Sequence, residues 1–194
     1  MSARPPRIPT FDEVADSLRA LTFRDDFVVR EIAAPRGLAP EAIAFAGDIR
    51  PDAHGIDSEY GTGRIVVLHD EEEPEAWAGP WRIVAFAQAP LEPEIGTDPL
   101  LAEVAWSWLV DALTARGAAF HSASGTATKT LSKGFGALAD EGDGAQIELR
   151  ASWSPGGDIA AHVDAWAELV AMLAGLPPGS EGIAVFGTRR IDRD

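Results

Sequence analysis

DPLLAEVAWSWLVDALTARG, residues 98–117, is the stretch on which the reading of the fold turns. Asp98 stands where a helix N-cap belongs. Pro99 follows at a position where a missing N–H costs nothing, and Gly117 supplies the stop. Between them Leu101, Val104, Ala105, Trp108, Ala112 and Leu113 recur at helical spacing, and Trp106 and Val110 widen the apolar face. A helix apolar over so much of its circumference packs beneath a sheet and has surface left for a second contact.

The sheet comes from both sides of it. Upstream, FVVREIAA (27–34), AIAFAGDI (42–49), TGRIVVLHD (62–70) and WRIVAFAQA (81–89) are strand-like runs bounded by turn formers. Their short connections favour antiparallel neighbours, since a parallel crossover needs a dozen or more residues. Downstream, FHSASGTATKTLS (120–132) reads as a long strand, and AQIELRASW (145–153) alternates apolar and polar residues. A second long helix follows an N-cap at Asp158, with Ile159, Val163, Trp166, Val170 and Leu173 as its stripe. A short first helix starts at Thr10, where Glu13 completes a capping box. GIAVFG (182–187) has the composition of one more short strand. The expected fold class is α+β, a mostly antiparallel sheet of about six strands with two long helices and a short N-terminal one. The expected order is α-β-β-β-β-α-β-β-α. One domain is expected over residues 10–187, with loose termini at 1–9 and 188–194.

Composition narrows the chemistry. The 194 residues carry a formal net charge of −15, with 31 acids against 16 basic residues, so the chain as a whole lacks the basic footprint of a nucleic-acid binder or of an anionic-membrane binder. It has no cysteine, which removes disulfides, thiolate catalysis and cysteine-based metal sites and is compatible with a cytoplasmic setting. No apolar run is long enough to span a membrane. His54, His69, His121 and His162 are scattered, without metal-ligand spacing, and neither a metal nor another cofactor is expected. SASGT (122–126) misses the G-x-S-x-G nucleophile pattern, so no catalytic residue is named.

GTATKTLSKGFG (125–136) holds the chain's two lysines and superficially suggests a phosphate cradle. It lacks the glycine spacing and the following helix of a P-loop. What survives is a charge contrast. Residues 112–139 contain no acid, yet carry Arg116, Lys129 and Lys133. Period-2 alternation places Lys129 and Lys133 on one side of the strand, with Ser124, Thr126, Thr128 and Thr130 on the other. The ligand-binding candidates are therefore Thr126, Thr128, Lys129, Lys133 and Arg150. Trp77 and Trp81, which flank a Gly-Pro turn, and Trp106 on the long helix are the interface candidates.

DPLLAEVAWSWLVDAL, SGTATKTLSKGFG, ELRASWSPGG and HVDAWAELVAMLAGLPP, with VLHD at 67–70 and WAGPWRIVAF, together resemble an actinobacterial family known as domain of unknown function 3000. The resemblance covers roughly residues 10–187 and implies a bacterial, cytoplasmic protein. It carries no activity and no site residue. Three functions remain open. The first is a non-enzymatic protein-binding or regulatory module, working with a protein partner or as a homodimer. The second is a small-molecule binder or enzyme with a pocket near the 120–133 strand, and the third and least favoured is a nucleic-acid-associated protein.

Overall fold

Local sequence chemistry is expressed first at the ends of elements. In the computed structural model, which describes residues 9–50, 60–141 and 143–176, helix α1 (Phe11–Arg19) begins with the expected capping box. Thr10 Oγ1 accepts from the Glu13 amide at 3.4 Å, and the Glu13 carboxylate accepts from the Thr10 amide at 2.9 Å. Strands β1 (Phe27–Ile32), β2 (Glu41–Ile49), β3 (Thr62–His69) and β4 (Trp81–Leu91) follow, then a short helix α2 (Pro93–Gly96) and the long α3 (Leu101–Ala115). Strand β5 (Phe120–Lys133), a 3₁₀ turn at Gly136–Glu141, β6 (Asp143–Pro155) and α4 (Ile159–Leu173) complete the order. The strand expected at 182–187, the segments 1–8 and 188–194, and most of the 50–61 link lie outside the described residues.

The six strands form one sheet in the order β1-β2-β3-β4-β6-β5, antiparallel at every pairing. The fold is thus α+β, as the hydrophobic periodicity indicates. Element ends shift by a few residues from expectation, and two of these shifts have a plain cause. Strand β4 runs through Pro90, which pairs with Gln146, instead of stopping before it. Helix α3 starts at Leu101, not Pro99, because Asp98 makes a tight turn in which its carboxylate accepts from the Leu100 amide at 2.8 Å. The short helix α2, which contains Pro93 and follows β4 directly, breaks no periodic pattern and is invisible to one.

All four helices lie on one side of the sheet. Odd-numbered residues of β4 and β6, including Ile83, Ala85, Ile147, Leu149 and Trp153, face α3 and α4 and are buried. Two glycines make room for the helix layer. Gly47 and Gly63 are cross-strand partners, and a Cβ on Gly63 would stand 2.6 Å from Val170 and 2.9 Å from the Trp166 indole nitrogen. One on Gly47 would stand 2.2 Å from the Phe27 ring. The recess they leave is filled by Phe27 and Trp166, edge to face at 5.5 Å. Helices α3 and α4 are also joined at their rims, where Arg116 donates to Asp164 at 3.0 Å and to Glu168 at 3.4 Å.

One polar group sits deep in this core. His162 is fully buried on α4. The Trp153 indole N–H donates to its Nδ1 at 3.0 Å, which leaves the proton on Nε2, directed at the Gly156 carbonyl at 3.3 Å. The ring is therefore held neutral. Burial pushes its pKa down, outweighing the opposing pull of the Gly156 carbonyl and Asp158.

Candidate functional site

With every described helix on one side, the other side of the sheet is left uncovered by described secondary structure. Its residues follow from strand alternation and register. One row crosses the sheet as Arg30 (β1), Ala46 (β2), Arg64 (β3), Phe86 (β4), Arg150 (β6) and Thr126 (β5). The next rows add Val66, Val84, Ser152 and Ser124 on one side and Asp48, Thr62, Gln88, Glu148 and Thr128 on the other. Arg82 lies nearer the β3–β4 turn. This face therefore presents four arginines against two carboxylates, in a chain whose overall charge is −15.

The two carboxylates are already engaged. Asp48 is buried, accepting from Arg30 at 2.5 Å and from the Thr62 hydroxyl at 2.7 Å. Glu148 accepts from Arg150 Nε at 2.6 Å, and the Arg150 guanidinium also lies 5.7 Å from the Phe86 ring centre. Arg64 is exposed, with no ion pair among the described residues. Val84 is 37% exposed at the centre of the sheet, where an apolar side chain has no described cover. Arginines interleaved with Val66, Val84 and Phe86 make a surface that is both positive and partly apolar. Arg30, Arg64, Arg82, Val84 and Phe86 were not named from sequence. The available signal was that all five sit at alternate positions of strands whose other face is apolar.

The sequence-derived candidates divide between the two faces. Thr126, Thr128 and Arg150 share the uncovered face, with Thr126 opposite Arg150 and Thr128 opposite Glu148. Lys129 and Lys133 fall on the helix side of β5, as alternation requires. Lys129 Nζ donates to the Asp98 carbonyl at 2.6 Å and so ties β5 to the turn preceding α3. Arg116 is spent on α4. The acid-free window thus does not converge into one positive patch. Its lysines lie on β5, whose outer edge pairs with no further described strand, and charged side chains there discourage pairing with another chain.

Of the tryptophan candidates Trp81 is buried and Trp77 and Trp106 are half-buried. Trp81 is 8% exposed and packed in a cluster of rings, with His69 tilted against it at 4.2 Å and Phe11 stacked at 6.2 Å. Trp106 is half-buried against Gly125, where a Cβ would come within 2.6 Å of its ring. Trp77 is half-buried in the β3–β4 turn, and its carbonyl accepts from Ser154 Oγ at 2.6 Å.

A cavity of about 320 Å³ opens between the N-terminus of α1 and the β3–β4 turn. Its lining includes Asp12, Glu41, His69, Glu71 and Glu73 and no residue of β5. His69 Nδ1 lies 2.6 Å from the Glu41 carboxylate. Among the described residues no group of three or more histidines and acids is arranged to hold a metal ion. No described helix is long and apolar enough to cross a membrane.

No curated protein and no solved structure matches the chain. A family model does, over residues 7–184, and the chain belongs to that family, described as a protein of unknown function (DUF3000).

Proposed function

We propose that the protein is a non-enzymatic binding module whose arginine-bearing sheet face engages an acidic surface of a partner protein. The observation that carries this reading is the composition of that face. Four arginines alternate with Val66, Val84 and Phe86 on a broad antiparallel sheet, while the only carboxylates of those rows, Asp48 and Glu148, are internally paired. Arginine and aromatic groups are the side chains enriched where protein interfaces concentrate their energy. Charge complementarity then selects an acidic partner and speeds its encounter. Nucleic acid is disfavoured by the overall charge of −15 and by the single aromatic ring, Phe86, among the described strand residues of this face. The reading includes a cytoplasmic, actinobacterial setting, as the family resemblance implies.

A second reading rests on the cavity beside His69. Its four carboxylates suit a small cationic ligand rather than the anionic one suggested by the lysine-bearing strand.

The test of the first reading uses the wild-type chain and an Arg64→Glu/Arg150→Glu double variant as baits in cell extract. A protein retained by the first is then purified and titrated against both. The expected result is one partner whose binding weakens with salt and falls roughly tenfold or more in the variant. Equal affinity for both would overturn the assignment of this face.

A further inference from the structure

At the end of the sheet face beside the β3–β4 turn, Arg82 is held by neutral groups alone. Its Nη1 donates to the Ser122 carbonyl at 2.9 Å and to Ser154 Oγ at 3.1 Å, and its Nη2 donates to Ser152 Oγ at 2.7 Å. No hydrogen bond from Nε is formed among the described residues, and no described carboxylate pairs with this guanidinium. The other hydrogen-bonded arginines given above for this face, Arg30 and Arg150, each bond an acid. A half-buried arginine without one is costly, because its desolvation is not offset by a counter-charge. Burial accordingly pushes its pKa below the ordinary arginine value, with no opposing contribution from an acid.

The surroundings supply further donors. Ser124 Oγ lies 3.4 Å from Ser152 Oγ, and His121 Nδ1 lies 3.2 Å from Ser122 Oγ. These residues are gathered by an irregularity in β5. The register with β6 shifts between His121 and Ser124, and Ser122 adopts φ +51°, a left-handed conformation uncommon for a residue with a side chain. The bulge turns the Ser122 carbonyl onto Arg82 and leaves His121, Ser122 and Ser124 exposed around it. Ser154 Oγ, bonded both to Arg82 and to the Trp77 carbonyl, fixes the arginine from behind.

From this we infer a binding site for a phosphoryl-type oxyanion, built on Arg82 with the Ser124 and Ser152 hydroxyls and His121. Guanidinium, hydroxyl and imidazole donors on neighbouring strands match a tetrahedral anion with several acceptor oxygens better than a planar carboxylate. The site stands whether or not the sheet face engages an acidic protein. The oxyanion has two sources, free phosphate or a phosphorylated side chain.

The test is an NMR titration of the full chain, following the arginine Nε–H and backbone amide signals. Inorganic phosphate, sodium acetate and a phosphoserine peptide are added in separate arms at constant ionic strength. The expected result is saturable shifts confined to residues 82, 121–124 and 152–154, with phosphate bound more tightly than acetate. A peptide that binds more tightly than inorganic phosphate identifies a phosphorylated side chain as the source, and the reverse identifies the free ion. Arg82→Gln is expected to weaken binding roughly tenfold or more. Because Arg82 also braces three strands, the exposed Ser124→Ala serves as the variant that keeps the fold, with a loss of roughly threefold or more. Acetate binding equal to phosphate, linear shifts across the whole surface, or unchanged affinity in a folded Ser124→Ala and Arg82→Gln pair overturns the inference.

Discussion

Replacing His162 with glutamine tests whether the buried core depends on a neutral ring. In the folded protein the Trp153 N–H points at Nδ1, so a second ring proton has no place to go without breaking that 3.0 Å bond. Burial holds the folded-state pKa below the ordinary value. The unfolded chain therefore binds the proton first as pH falls. The stability contributed by neutral His162 is complete above the unfolded pKa of about 6.5 and is lost as pH drops through it toward the depressed folded value. At pH 5.5 the loss from this residue alone is RT ln 11, about 1.4 kcal/mol, provided the folded ring stays neutral. Urea denaturation followed by tryptophan fluorescence reads this directly, since Trp153 and Trp166 are fully buried. His162→Gln keeps a group that can accept from Trp153 but does not titrate. Taking the stability difference between wild type and variant at pH 8 and again at pH 5.5 cancels the acids and the other histidines. That difference should shrink on acidification, by up to about 1.4 kcal/mol. A difference that does not change with pH refutes the neutral, proton-excluding role of His162.

Three further substitutions probe the packing of the helix layer on the sheet. Gly63→Ala forces a Cβ to within 2.6 Å of Val170 and 2.9 Å of Trp166 and should cost about 1–3 kcal/mol by denaturation, with a near-ultraviolet signature of disturbed Trp166. Gly125→Val drives side-chain atoms against the Arg150 carbonyl, 2.5 Å from an ideal Cβ, and against Trp106, and should loosen β5 from β6. Faster amide exchange across residues 124–132 than across β3 checks this. Arg116→Ala removes the partly exposed links to Asp164 and Glu168 and should cost no more than about 1 kcal/mol, less in high salt.

The order of the elements was legible because each long helix is introduced by an aspartate, Asp98 or Asp158, and carries an apolar stripe, and each strand is bounded by turn residues. The order of strands in space was not. Nothing local in AQIELRASW says that it pairs with both β4 and β5, so that β6 enters between strands that precede it. The separation of Lys129 from Thr128 onto opposite faces was legible from alternation alone. Which face the helices would cover needed tertiary contacts, notably Trp106 on Gly125 and Trp166 on Gly63. The arginine-bearing face was hidden for the same reason. Arg30, Arg64, Arg82 and Arg150 are 120 residues apart from first to last, and only the register brings Arg30, Arg64 and Arg150 into one row. In the acid-free window, conspicuous in sequence, Lys129 donates to the Asp98 carbonyl and Arg116 to α4.

Site-specific photocrosslinking in cells addresses the role of the arginine-bearing face most directly. A photoreactive phenylalanine analogue replaces Val84 at the centre of that face or, as the comparison, Glu103, which is exposed on α3 on the other side of the sheet. The expected result is a discrete protein adduct from position 84, absent from position 103 and lost when Arg64→Glu and Arg150→Glu are added. Adducts from position 103 alone, or adducts at 84 that survive both charge reversals, contradict the assignment of the arginine-lined face as the binding surface.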